Sequence, residues 1–184
     1  MADDLDTITK LEIYKLVISR YRMMINEKES HSVSEIRQKV SPYTDFIKNL
    51  RERIINELPK YDYHSDFLTA VQKAISYVQR IHTCEFAFNF WVDFVEMDQL
   101  KIGTSMDKAL LFAALLRSFE SEDVRILVTK KGKVFVKFGW KTLSYFFVPE
   151  SGSLLAGPDG LKIFTDDPLS YSFSDLAYEN FEEQ

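Results

Sequence analysis

The residues of this chain that could do chemistry converge on KIGTSMDKALLFAALLRSF, residues 101–119. Gly103 offers a turn, Ser105 a hydroxyl, and Asp107 an acid at the start of what reads as an apolar helix. A hydroxyl becomes a nucleophile only when a base lies within hydrogen-bond reach. The histidines, His31, His64 and His82, all precede this stretch, and so does the single thiol, Cys84. Their spacing offers no metal set, since His82 and Glu85 alone make a weak pair. One cysteine excludes internal disulfides and a cysteine-rich zinc site. No glycine-rich phosphate loop is present, so neither metal nor cofactor is expected.

The elements around this stretch read as helices first and strands afterwards. Leu11, Tyr14, Ile18, Tyr21 and Ile25 follow spacings of three and four, which predicts one long amphipathic helix. Val33, Ile36, Val40, Tyr43, Ile47, Leu50 and Ile54 continue such a stripe. Pro42 interrupts it, so a short helix to about Val40 and a second one capped by Ser41 are expected. Ser65 or Asp66 caps a third helix through Ile81. Phe86, Phe88 and Phe90 alternate as in a strand, and a short helix is expected from Trp91 to Leu100. Thr104 or Ser105 caps the helix Met106 to Phe119, whose apolar residues on all sides predict burial. VRILVT, VFVKF and TLSYFFV then read as strands, LKIF as a short fourth one, and PESGS and AGPDG as loops. The fold class is α+β, with helices segregated from an antiparallel sheet. The expected organisation is an N-terminal helical extension (1–60), an α+β core (61–165) and an acidic tail (166–184).

Composition narrows the function. The chain has 184 residues, 46% hydrophobic and 14% aromatic, enough for a sizeable core. A net charge of -5 disfavours general nucleic-acid binding, and no apolar run is long enough for a membrane span. The acidic start MADDLDTITK is unlike a signal peptide, so a cytoplasmic location is expected. Charge is uneven. Residues 130–141 hold five lysines and no acid, whereas residues 166–184 hold six acids and no lysine or arginine. The two segments are either solvated separately or the acidic one folds onto the basic hairpin.

Residues 76–153 resemble the transglutaminase-like family of papain-like cysteine proteases and transferases. There a Gly-x-Cys-x-Asp-x-Ala turn leads into a buried helix. Gly103, Ser105, Asp107, Ala109 and Leu110 match that turn, and Phe90, Trp91 and Glu96 resemble the family's aromatic segment. The resemblance implies acyl transfer through a thioester, with a cysteine activated at the helix N-terminus, a histidine on the next hairpin and an aspartate on the following strand. Carried over, those positions fall on Ser105, Lys133 and Val148, so all three roles are replaced. Lys133 could serve Ser105 only if burial lowered its pKa, and it stands in the lysine run on a glycine turn.

The reading is a catalytically inactive transglutaminase-like protein that binds or scaffolds a protein or peptide partner. Trp91, Lys130, Lys131, Lys137 and Trp140 are its candidate binding residues, with a groove between Ser105, Trp91, Lys133 and Trp140. The N-terminal helices are a candidate homodimer surface. The alternatives are an unusual acyl hydrolase using Ser105, or an interaction subunit of a larger assembly. For the latter, the two leading helices bear a loose likeness to the GINS subunits of the replication helicase.

Overall fold

The computed structural model describes residues 2–28, 32–56, 58, 60–86 and 91–181. The chain divides into two units, residues 1–31 with 86–91, and residues 32–85 with 92–184.

In the first unit, α1 (Ala2–Lys28) is one continuous helix. Its expected stripe is exposed at Leu11, Tyr14, Ile18 and Tyr21. Ile13, Leu16 and Met23, outside that stripe, are exposed as well, so apolar side chains point to every side. Trp91 belongs to this unit and is half-buried. Phe88 and Phe90, expected in a strand, lie outside the described residues.

In the second unit the helices begin where a side chain satisfies the free N–H groups of the first turn. α2 (Val33–Lys39) starts on a capping box between Ser32 and Glu35. α3 (Asp45–Ile55) is capped by Thr44 rather than Ser41, because Pro42 lies in the turn ahead of it. α4 (Tyr63–Val78) is capped by Asp62 rather than Ser65 or Asp66. The Asp62 carboxylate accepts the N–H groups of His64 and Ser65 at 2.9 and 3.1 Å. β1 (His82–Thr83), α5 (Phe94–Leu100) and β2 (Ile102–Gly103) follow, and β1 pairs with β2 in parallel. α6 (Ser105–Ser118) is buried at every residue from Asp107 to Leu116, as its all-round apolar sequence predicts.

The sheet is antiparallel. It is built from β3 (Val124–Thr129), β4 (Val134–Trp140), β5 (Leu143–Val148), β6 (Ser153–Ala156), β7 (Leu169–Phe173) and β8 (Tyr178–Asn180) in the order β6-β5-β4-β3-β7-β8. Side chains alternate between its two faces. Ile126, Val136, Phe138, Phe147 and Phe173 form the inner face against α6, where Phe112 meets Phe147 at a ring distance of 4.2 Å. α3 and α4 cover α6 through Ile47, Leu50, Phe67, Val71 and Ala74. α2 and α3, read from sequence as part of an extension, are thus part of this core.

Two other segments differ from their sequence reading. LKIF belongs to α7 (Pro158–Leu161) and a 3-10 turn (Lys162–Phe164), started by Pro158 in the first helical turn, while Ser153–Ala156, which joins the two expected loops PESGS and AGPDG, is β6. Residues 166–184, read as a tail, supply β7 and β8, and β7 lies beside the central strand β3. The molecule is an α+β fold, as the sequence predicts. No described helix is long and apolar enough to cross a membrane.

Candidate functional site

The start of α6 is built from a reciprocal cap. Thr104 is the N-cap, its Oγ1 accepting the Asp107 N–H at 3.1 Å. Asp107 Oδ2 accepts the Thr104 N–H at 2.9 Å and its hydroxyl proton at 2.8 Å. Burial raises the pKa of Asp107, and the hydrogen bonds from Thr104 oppose that shift. Ser105 is the first helical residue, half-buried, and its Oγ has no hydrogen-bond partner among the described residues. It is therefore not the cap. Gly103 has a packing reason: a Cβ there would stand 3.3 Å from Met97 Cγ and 3.5 Å from Asp107 Cβ.

The short pair β1–β2 brings an upstream segment against this turn. Thr83 lies opposite Gly103, and the Cys84 N–H donates to the Gly103 carbonyl at 3.0 Å. The single thiol, half-buried and free, thus lies next to the α6 N-terminus in space. Lys108, one turn into α6, is only 3% exposed. Its Nζ donates to Thr83 Oγ1 at 2.9 Å, and it forms no ion pair among the described residues. Burial lowers its pKa. Ser105 and Lys108 are three residues apart on a helix, which puts them on one side. That Ser-x-x-Lys spacing stood in the sequence and is the signal for a base other than Lys133.

The remaining site residues do not gather at Ser105. Lys133 is exposed in the β3–β4 turn, where its N–H donates to Thr129 Oγ1 at 3.1 Å and its carbonyl accepts the Thr129 N–H at 3.0 Å. Gly132 takes a φ of 79° to close that turn. Val148 ends β5 on the sheet face away from α6, packed on Leu127, Phe135 and Phe146. Trp140 ends β4 with its ring 6.5 Å from Phe67, and Lys141 lies 4.0 Å over it. The neighbouring Gly139 bonds Asp123, just past the C-terminal end of α6, so Trp140 lies at the opposite end of the helix from Ser105. Trp91 belongs to the other unit. The groove expected between Ser105, Trp91, Lys133 and Trp140 therefore does not form within the second unit.

The backbone of Lys130 and Lys131 is held by the chain's own acidic segment, while both side chains are exposed. The Lys130 N–H donates to the Pro168 carbonyl at 2.9 Å, and the Lys131 N–H to Asp167 Oδ1 at 3.0 Å. Thr129 donates to Asp167 Oδ2 at 2.7 Å. Burial pushes the Asp167 carboxyl up, but these hydrogen bonds and the nearby Lys131 and Lys133 outweigh it and hold the group below its ordinary range. Lys137 stands on the outer sheet face between Arg125 and Phe146. Among the described residues, no group of three or more His, Cys, Asp or Glu side chains is arranged to hold a metal ion.

No family model matches the sequence, and no curated protein matches it. Among solved structures, calcium-bound LapG of Legionella pneumophila is similar over 83% of this chain and 89% of its own, with a TM-score of 0.55 and 16% identity. A likeness at that identity concerns the fold alone, and the fold it supports for this chain is transglutaminase-like.

Proposed function

We propose that this chain is a catalytically inactive transglutaminase-like protein that binds a protein or peptide partner in the cytoplasm. One observation carries the reading. The residues at the three positions the resemblance points to take up structural roles: Ser105 opens a helix with no base hydrogen-bonded to its Oγ among the described residues, Lys133 closes a solvated turn, and Val148 packs on the far side of the sheet. A thioester mechanism needs those three groups in mutual contact. The test is an amidase and transamidase assay on the full chain, with Ser105→Ala and an alkylated Cys84 alongside. No turnover in any sample is expected. Activity that vanishes in Ser105→Ala overturns the reading. Self-association through α1 belongs to the same proposal, because Leu11, Tyr14, Ile18 and Tyr21 are exposed at helix-pairing spacing. Sedimentation showing a monomer at all concentrations would remove that part.

A second reading, an acyl hydrolase using Ser105, is favoured by Lys108. Lys108 is buried, forms no ion pair among the described residues, has its pKa lowered by burial, and stands three residues from the serine on the same helix, where it would have to turn from Thr83 to reach the Ser105 hydroxyl. It requires covalent labelling of Ser105 by a serine-reactive phosphonate, lost in Lys108→Met. Absence of labelling in the native protein rejects it.

A further inference from the structure

The two faces of the sheet are covered unequally. α6 covers one. On the other, Ile163, Phe164 and Leu169 cover Leu127, Phe135 and Phe146, and beside this cap a groove of about 740 Å³ stays open. Arg125 and Lys137 stand directly opposite each other on β3 and β4 inside it. Like charges in register repel, so each cation needs an answer. Arg125 has one: its Nη1 reaches Glu179 Oε2 at 3.2 Å and Ser172 Oγ at 3.4 Å. Lys137 has none, forming no hydrogen bond or ion pair among the described residues, and its other cross-strand neighbour is the Phe146 ring. Asp123, further along the groove, forms no ion pair among the described residues either. Formal charges in the groove cancel, which makes long-range steering weak and places selectivity at the unanswered ammonium.

We propose that this groove binds an acidic peptide segment, with a carboxylate side chain on Lys137 and an adjacent leucine or aromatic side chain against Phe146 and Phe164. The observation behind it is one cation without a counter-ion over an apolar floor. A fatty acid carries the same pairing of carboxylate and apolar body. The groove walls, however, carry Thr142, Ser144, Asp123 and Glu179, which methylene groups would desolvate without compensation and peptide amides pair with. The inference rests on the binding reading above and gives it a ligand class and a surface remote from the inherited helix turn.

The test selects binders from a displayed random heptapeptide library on the full chain. The best peptide is then measured by fluorescence anisotropy against wild type, Lys137→Ala and Lys137→Glu. A Glu→Gln form of the peptide and oleate as competitor complete the set. Expected peptides carry Asp or Glu within two positions of Leu, Phe or Tyr. Binding should weaken by about tenfold or more in Lys137→Glu, less in Lys137→Ala, and on amidation of the peptide acid, with melting temperatures unchanged. Peptides that bind Lys137→Glu as well as wild type overturn the groove while leaving the binding reading intact. Lys137-dependent oleate binding without any peptide overturns the peptide assignment. A selection that yields nothing, with no oleate bound, counts against the groove and the binding reading together.

Discussion

Lys108 Nζ donates to Thr83 Oγ1 at 2.9 Å, and among the described residues this neutral hydroxyl is the only side-chain partner of a lysine that is 3% exposed. Its position in the first turn of α6 adds the positive end of the helix dipole to the cost of burial. Both disfavour the charged form. Lys108→Met keeps the aliphatic volume, and water replaces the amine at the exposed Thr83. It should leave stability unchanged or raise it by about 1 kcal/mol near neutral pH. The folded-state pKa is below the unfolded value of 10.5, so the unfolded chain binds the proton more tightly. The penalty is therefore fully present below the folded pKa and fades as pH rises from there toward 10.5. Urea denaturation across that range should show the mutant's advantage shrinking. A loss of 2 kcal/mol or more on mutation, about what removing a net-stabilising charged hydrogen bond costs, would contradict this account.

Arg117 and Asp175 form the opposite case, a nearly buried pair whose charges do match. Arg117 Nε and Nη2 donate to Asp175 Oδ2 at 3.1 and 3.0 Å, and Nη1 to the Ser121 carbonyl at 2.9 Å. Arg37 of α2 holds the same loop through the Ser174 and Asp175 carbonyls. Asp175→Ala strands the guanidinium with side-chain exposure of 12% and should cost about 2 kcal/mol. Arg117→Met with Asp175→Ala should recover part of that loss, since no buried charge is left alone. A double mutant no better than the single one would show that the loop itself, and not the stranded charge, sets the cost.

The sequence made the middle of the molecule legible because single-element signals are strong there. α6 is apolar on all sides and is buried on all sides. VRILVT and VFVKF carry β-branched residues and form the two central strands β3 and β4. The segments read differently are those where composition misleads. SLLA lacks β-branched residues and pairs only as an edge strand, and KIF has strand-like residues but follows Pro158 into a helical turn. The acids of residues 166–184 left open whether that segment is solvated or folds onto the lysine hairpin. The Asp167 carboxylate and the Asp166 backbone carbonyl hold the lysine hairpin, and LSYSF between them and the chain end lies next to β3. At the site, the spacing of Ser105 and Lys108 was visible, but the burial that changes what Lys108 can do was not. The approach of Cys84 to Gly103 depends on strands of two residues, too short to leave a period.

Asp107 should invert the usual acid dependence of a carboxylate. Its pKa is raised by burial above the ordinary 3.8, so the folded state holds the proton more tightly than the unfolded chain. Ionised Asp107 is a cost that is fully present above the folded pKa. As pH falls through that value toward 3.8, the cost is relieved and this group stabilises the fold. Asp107→Asn keeps an oxygen for the Thr104 N–H and hydroxyl while removing the charge. It should match or exceed wild-type stability at neutral pH, and its advantage should shrink on acidification. A mutant that is less stable at neutral pH and gains nothing there would mean that the ionised carboxylate is needed by the cap.

Thr104 and Ser105 are adjacent hydroxyls with unequal duties. Thr104 Oγ1 accepts the Asp107 N–H and donates to the Asp107 carboxylate, so Thr104→Ala removes the cap and strips a buried acid of a donor. A loss of about 1 kcal/mol or somewhat more is expected. Ser105 Oγ makes no hydrogen bond among the described residues, and alanine is a better helix former than serine at the first helical position. Ser105→Ala should therefore stay within about 0.5 kcal/mol of wild type by thermal or urea unfolding. A cost equal to that of Thr104→Ala would assign Ser105 a capping role after all. The expected neutrality also governs what the activity assays can show. A Ser105→Ala protein that folds like wild type separates chemistry from folding, so any turnover or labelling it loses belongs to the serine hydroxyl and not to a weakened helix.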